Sequence, residues 1–350
     1  MTNRFLSSGL AAALALSVAT FGCGDKNKSK KANGDDTAAA PATAATATAA
    51  APGLSKTAFA VFPKDSVILG GVNLSGLAGS AFWPMVEAKM SADPKYQEVV
   101  AACGFNPLSK IEQVLFAGNP DHEDVVAVVK GFTKEDIQKC GAAAAKTEGK
   151  TLTMTAEGNL TKITVDDEVA YLAWLDDKTF AFSSAATSDA DDIEAGKKAL
   201  AAHAAGTDGL DQNADMMALL KKVDTSATVF FIGDISKMKD APMDGKAKSA
   251  FASLLVKDGL KIDAGATFSD AETAKAVLTK ANGMVAMVQG MKPELADLVS
   301  KVKLSVTGSD LIVQANLTKA DLDKLQSTAK SMLPGMAGGM PNTAAKPATP

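Results

Sequence analysis

The sequence predicts an α+β protein of two related β-x-β-α-β-β units, with antiparallel or mixed sheets covered by helices on one face. Three observations predict it. Apolar runs that alternate or continue for five to eight residues recur through the middle of the chain, as strands do. Helical stretches lie between them, and hairpins joined to helices favour a sheet with helices packed against it. The succession of strand, capped helix and hairpin occurs twice.

The elements follow in order from the N-terminus. Met1 to Phe5 carry one arginine, Arg4, and Phe5 to Gly22 contain no charge and consist mostly of Leu, Ala, Ser and Val. That is the n-region and h-region of a signal peptide, residues 1–22. A membrane-spanning helix is the competing reading, but eighteen uncharged residues sit at the lower limit for crossing a bilayer, and these are rich in Ala and Ser.

Thr20-Phe21-Gly22-Cys23 resembles the lipobox of bacterial lipoproteins, in which a cysteine after a small residue becomes the lipid-modified first residue of the mature chain. Gly22 fits that pattern; Phe21 and Thr20 depart from it. Ser17-Val18-Ala19 offers an ordinary small-x-small cleavage site instead. The resemblance implies lipidation of Cys23, with diacylglycerol and an amide-linked chain such as palmitate, enough buried methylene for stable anchoring. It also implies a place in the cell envelope, on the outer membrane facing the periplasm or the surface. Lys26, Lys28, Lys30 and Lys31 follow at once, either to lie on anionic headgroups or to keep a linker soluble. From Ala32 to Lys56 the chain is nearly all Ala, Thr, Pro, Gly and Asp, which cannot bury enough surface to fold. Residues 23–56 therefore read as a disordered tether with a reach of roughly 30 Å. Residues 334–350 read as a second disordered tail.

Cleavage before Cys23 removes one positive charge, Arg4, from a chain of net charge −4 and leaves −5, so nucleic acid is not a natural partner. Cys103 and Cys140 then remain as an even pair in an exported protein, which predicts a disulfide. Closing that loop stabilises the fold by about 4 kcal/mol on the chain-entropy argument.

Between the two tails, strand-like runs occur at 66–74, 111–118, 124–132, 152–165, 169–177 and 179–184, with helical stretches at 75–90, 133–146 and 187–204. After Gly206 the pattern restarts, which divides the folded part into units at 57–205 and 206–333. "VVKGFTKEDIQK" (128–139) lines up with "AGATFSDAETAK" (264–275): Phe132 or Phe268 ends a strand, Thr133 or Ser269 caps a helix, and Asp136 or Glu272 follows three residues on. A hairpin comes next in each half, 152–165 and 304–317, and 67–75 matches 229–236. The same cap recurs at Thr318 with Asp321.

Chemistry-bearing motifs are mostly excluded. His122 sits in "NPDHED", a charged turn begun by Asn119-Pro120. His203 ends an alanine-rich helix, where an imidazolium suits the dipole. "EGKT" (148–151) lacks the glycine and the following helix of a phosphate loop, and "DQNAD" (211–215) lacks the turn glycine of a calcium loop. No GxSxG or HExxH occurs. No metal and no cofactor is expected. In 271–291, Ala274, Val277, Ala281, Met284, Val288 and Met291 recur at helical spacing and Met287 widens the stripe. The stripe reads as a sheet-packing face or, since methionine adapts to varied apolar shapes, as the lining of a ligand cavity with Met284, Met287 and Met291 in contact.

The first functional expectation is a non-enzymatic, lipid-anchored envelope protein that binds a partner protein or a wall component. "FPKDSVILGGVNLS" (62–75) and "CGFNPLSKIEQVLF" (103–116) resemble segments of bacterial envelope proteins of unknown function, which implies location and no activity. A carrier of a hydrophobic ligand such as a lipid is the alternative, and a hydrolase or redox enzyme the third.

Overall fold

The computed structural model describes residues 59–119, 124–147, 149–187, 192–238, 246–291 and 293–332. Cys23, the predicted signal segment and tether, His122 and the C-terminal tail lie outside them. The first half comprises β1 (Ile68–Asn73), α1 (Leu74–Ala78), α2 (Trp83–Ser91), α3 (Pro94–Cys103), α4 (Pro107–Lys110), β2 (Gln113–Asn119), β3 (Asp124–Lys130) and α5 (Lys134–Thr147), then β4 (Leu152–Glu157), β5 (Leu160–Val165), β6 (Glu168–Asp176), β7 (Thr179–Thr187) and α6 (Ile193–Ala204). The second comprises α7 (Ala214–Leu220), β8 (Val229–Gly233), β9 (Ala247–Val256), β10 (Gly259–Phe268), α8 (Ala271–Met291), α9 (Pro293–Ser300), β11 (Val302–Thr307), β12 (Asp310–Thr318) and α10 (Lys319–Met332).

Local chemistry accounts for many of these boundaries. Thr133 Oγ1 accepts from the Asp136 N–H at 3.1 Å while Asp136 Oδ2 accepts from the Thr133 N–H at 3.1 Å, a reciprocal capping box that starts α5. Asn73 and Asn106 cap α1 and α4 through the Gly76 and Leu108 N–H groups. The cap of α8 is Asp270, which accepts from the Thr273 N–H at 2.7 Å, and not Ser269 as the pattern predicts. A β-bulge between Thr267 and Phe268 shifts the register there by one residue. Both predicted hairpins form across two-residue turns, Gly158-Asn159 and Gly308-Ser309, whose glycines at φ 63° and 60° supply the left-handed conformation that tight hairpins need.

The twelve strands among the described residues join one antiparallel sheet in the order β11-β12-β10-β9-β8-β1-β2-β3-β7-β6-β5-β4. The halves meet where β1 pairs with β8, Gly70 lying opposite Phe231. Hairpin β4–β5, taken in sequence as the counterpart of β11–β12, lies at the far edge; the hairpin placed like β11–β12 beside the strand before the helix is β6–β7.

The register separates the side chains into two faces, and helices pack on both, not on one as the sequence predicts. On the first face Leu69, Leu115, Val128, Ala173, Ala181, Phe230 and Ile232 form the main core with Phe62, with Leu200 of α6 and with Met216 and Leu219 of α7. On the second, Val129, Ile163, Leu172 and Phe180 pack with Phe132, Leu108 of α4 and Ile137 of α5. Further along that second face, Phe268, Leu311 and Ala266 pack with Ala274, Val277 and Leu278 of α8. The first face is therefore filled at its centre, and the second is covered at its two wings. A disulfide joins Cys103 of α3 to Cys140 of α5, with Cα atoms 4.2 Å apart, and ties two helices of one wing together.

Candidate functional site: an open apolar trough

Pairing partners on the second face form one row across the sheet: Leu172, Phe182, Ala127, Phe116, Gly70, Phe231, Ala252, Ala264, Val313 and Leu304, one from each of ten neighbouring strands. Every member is apolar. At the wings Leu172 is buried under α5 and its neighbours. In the middle Phe116, Phe231, Ala252, Ala264 and Val313 remain half-buried and belong to none of the three core clusters. Val72, Val229, Leu254 and Ile262, two residues along their strands and so on the same face, are half-buried as well. Among the described residues no α-helix packs extensively across β1 or β9 on this face, and α7 meets β8 on the other; only the short 3-10 helix Ile235–Lys237 lies against β9, at its Ala247 end, where Ile235 packs with Phe268 and Ala274.

The residues explain the shape. Small groups at Gly70, Ala127, Ala252 and Ala264 are interleaved with the rings of Phe182, Phe116 and Phe231 along the row. Gly70 has a steric role, because a Cβ there would meet the Phe116 ring. The result is a charge-free trough between the α1–α5 wing and the α8 wing. It offers dispersion and desolvation to an apolar occupant and no group for covalent or acid–base chemistry.

The predicted ligand-contacting methionines are placed otherwise. Met284 and Met287 are 59% and 54% exposed, so they line no enclosed space. The stripe of α8 that turns towards protein runs through Ala274, Val277, Leu278, Ala281, Val285 and Val288. Met291 ends the helix, and its side chain lies outside the described residues. Among the described residues, Met85 of α2 is the other large apolar side chain that is more than half exposed.

A second, polar concavity opens beside the entry of the chain into the fold, lined by Lys64, Asp65, His203, Asp208, Gln212 and Asn213. Lys64 pairs with Asp208 at 3.3 Å, and Asn213 Nδ2 donates to the Lys64 carbonyl at 2.8 Å. Burial pushes the His203 imidazole below its ordinary range, against the opposing pull of Asp124, Asp65 and Asp208. The shift disfavours the imidazolium expected at the end of α6. Asn213, within the calcium-like "DQNAD", caps α7 by accepting from the Met216 N–H at 3.1 Å. Among the described residues, no group of three His, Cys, Asp or Glu side chains stands ready to hold a metal ion, and no helix is long and apolar enough to cross a membrane.

The row was missed in the sequence because its members are single residues in ten separate strands, related by register alone. Comparison with known proteins yields little. No family model and no curated protein matches the chain. Solved structures of TP0453 align over most of their length: crystal form III with 10% identity and a TM-score of 0.47, covering 77% of this chain and 97% of that one, and crystal form I with 9% identity and a TM-score of 0.45, covering 78% and 97%. Likeness at that level carries no assignment of fold or activity.

Proposed function

We propose that this chain is a non-enzymatic binding protein of the cell envelope, lipid-anchored through Cys23 to the outer membrane, which holds a partner protein in the open trough. The observation that carries the reading is the charge-free row whose middle residues, Phe116 and Phe231 on either side of the buried Gly70, are half-buried. A contiguous apolar surface of this kind on an exported protein marks an interaction site. A glycan of the wall, which needs hydrogen-bond donors and acceptors, fits such a floor less well than an apolar protein surface does.

We further infer that the two halves are copies. Strand orders β1-β2-β3-β7-β6 and β8-β9-β10-β12-β11 correspond one to one, with β4–β5 as an insertion. Helices α5 and α8 follow β3 and β10 on the same face, Asp270 stands where Thr133 stands, and β7 and β12 each span nine residues. The local two-fold axis then passes between Gly70 and Phe231, so the trough lies on the seam.

A carrier of a hydrophobic ligand is the second reading, favoured by the small, half-buried residues Ala252 and Ala264 beside Phe231, an apolar floor on which an alkyl chain could lie. One experiment separates the two. The anchored protein is isolated under native conditions, and the material that accompanies it is resolved into proteins and extracted lipids. A stoichiometric protein, lost in an F116D/F231D variant that keeps the wild-type melting temperature, supports the first reading. Lipid alone, lost in the same variant, moves the assignment to the carrier. Accompanying material indifferent to both substitutions sinks the trough as the site.

A further inference from the structure

The outermost strand of the first half is built to pair again. β4 reads Leu-Thr-Met-Thr-Ala-Glu and forms one edge of the sheet. Edge strands are usually guarded against association by lysine, proline, a bulge or a covering element. β4 has no lysine, no proline and no register shift against β5. Its one charge, Glu157, is occupied by Lys197 at 2.6 Å and lies near Lys162 at 4.0 Å. The opposite edge, β11, carries Lys303, while helices pack on one face of both edges, α8 and α9 on β11 and α5 on β4.

Hairpin geometry fixes which backbone groups of β4 are available. Glu157 and Leu160 flank a two-residue turn and form the inner hydrogen-bonded pair. Alternate residues do the same, so Thr155 and Thr153 bond to Lys162 and Thr164 of β5. The N–H and C=O groups of Leu152, Met154 and Ala156 therefore point away from the sheet. Thr153, Thr155 and Ala156 are exposed, while Leu152 and Met154 are half-buried on the face that α5 covers.

We propose that β4 pairs antiparallel with β4 of a second copy, centred on Met154, and joins two sheets across a two-fold axis. Self-complementarity singles out this occupant and register. Leu152 then faces the partner's Ala156, large against small, and Thr153 faces the partner's Thr155, a favourable cross-strand match. Glu157 faces the partner's Thr151, so no like charges are opposed. One six-residue strand pair is small beside the roughly 1,200–2,000 Å² of a standard interface. The dimer is therefore weak and concentration-dependent, with a dissociation constant on the order of micromolar.

The test is sedimentation of the full mature chain in detergent across a concentration series, with the melting temperature of each variant as a folding control. Wild type reversibly forms a dimer. T153K/T155K sets two pairs of like charges across the interface and raises the dissociation constant roughly tenfold or more. T153E/T155K, which mutates the same exposed sites but sets opposite charges against each other, restores dimerisation to within a few-fold of wild type. In addition, M154C chains are bridged by a short bismaleimide, because Cα atoms of a hydrogen-bonded pair lie about 5.5 Å apart. A wild-type chain that stays monomeric at near-millimolar concentration overturns the proposal, as does a dimer indifferent to both charge variants. If the lysine variant fails to fold, the M154C bridge decides: its absence in the folded chain rejects the register.

Discussion

Helices α6 and α10 occupy corresponding places, each directly following the last strand of its half, yet they are held by different physics. α6 rests on the filled face, where Leu200 is fully buried and Gly196 lies so close to β7 that a Cβ would meet the Ala185 carbonyl. α10 is fixed at its first turn by polar groups. Thr318 donates to Asp321 Oδ2 through both its N–H and its hydroxyl, each at 2.7 Å, and Lys301 Nζ donates to both Asp321 oxygens at 2.7 Å. Leu322 and Leu325, its apolar stripe, stay half-buried. Equal position in a chain therefore does not fix how an element is bound. Apolar burial makes α6 part of the common core, with the Lys197–Glu157 pair as an addition at its edge, whereas α10 depends mainly on an ion pair and so on solution conditions.

The largest expected effect sharpens that contrast directly. Leu200→Ala removes a fully buried side chain from the main core and is expected to cost about 2–5 kcal/mol, read as a lower denaturant midpoint with an unchanged slope. Leu322→Ala is expected to cost about 1 kcal/mol, since less of that side chain leaves water on folding. Equal losses would break the comparison and place α10 in the core.

The next effect tests the close approach of α6 to β7. Gly196→Ala improves helix propensity by about 1 kcal/mol, but its Cβ collides with backbone that cannot rotate aside. A net destabilisation of roughly 1–3 kcal/mol is expected, the range for overpacking a filled site. A thermal melt at or above wild type would mean that α6 has room to lift and is not seated as described.

What could be read in advance divides along the same line between local and non-local chemistry. The Thr133–Asp136 box and the Gly158-Asn159 and Gly308-Ser309 turns are written in four to six consecutive residues, and the elements they bound occur where expected. The cap of α8 falls one residue beyond the expected Ser269 because Ser269 and Asp270 are both capping side chains in succession, and the pattern alone does not choose between them. The methionine stripe was misaimed for another reason: with Ala, Val and Met all counting as apolar, spacing shows that a stripe exists but not where its centre lies. Leu278 and Val285 turn inward and Met284 and Met287 outward. The union of both halves through β1 and β8, and with it the trough, rests on a pairing between residues such as Gly70 and Phe231 that no local signal announces.

The smallest effect at neutral pH is the one that separates the two helices most cleanly in acid. Three hydrogen-bond donors converge on Asp321, Lys301 first and then the Thr318 hydroxyl and N–H, and they hold its carboxyl down at about 2. An unfolded aspartate ionises near 4. Because the folded value is the lower one, the linkage contributes stability that is fully present above about pH 4 and is lost as pH falls towards 2. The loss belongs to the attachment of α10 and the start of β11, since Asp321 and Lys301 lie there, while Leu200 has nothing to titrate. Hydrogen exchange at pH 5 and again near pH 2.5 should therefore show protection in the first turn of α10 falling further than protection in α6. In D321N the acid-induced part of that difference should disappear, because the amide has no proton to gain, and α10 should already be less protected at pH 5. Added salt should weaken α10 modestly at pH 5, since the lysine side chain of the pair is partly exposed, and should act on α6 only through its Lys197–Glu157 pair, leaving the Leu200 core contact in place. Equal acid sensitivity of the two helices in wild type and D321N alike would show that α10 is held by something other than this ion pair.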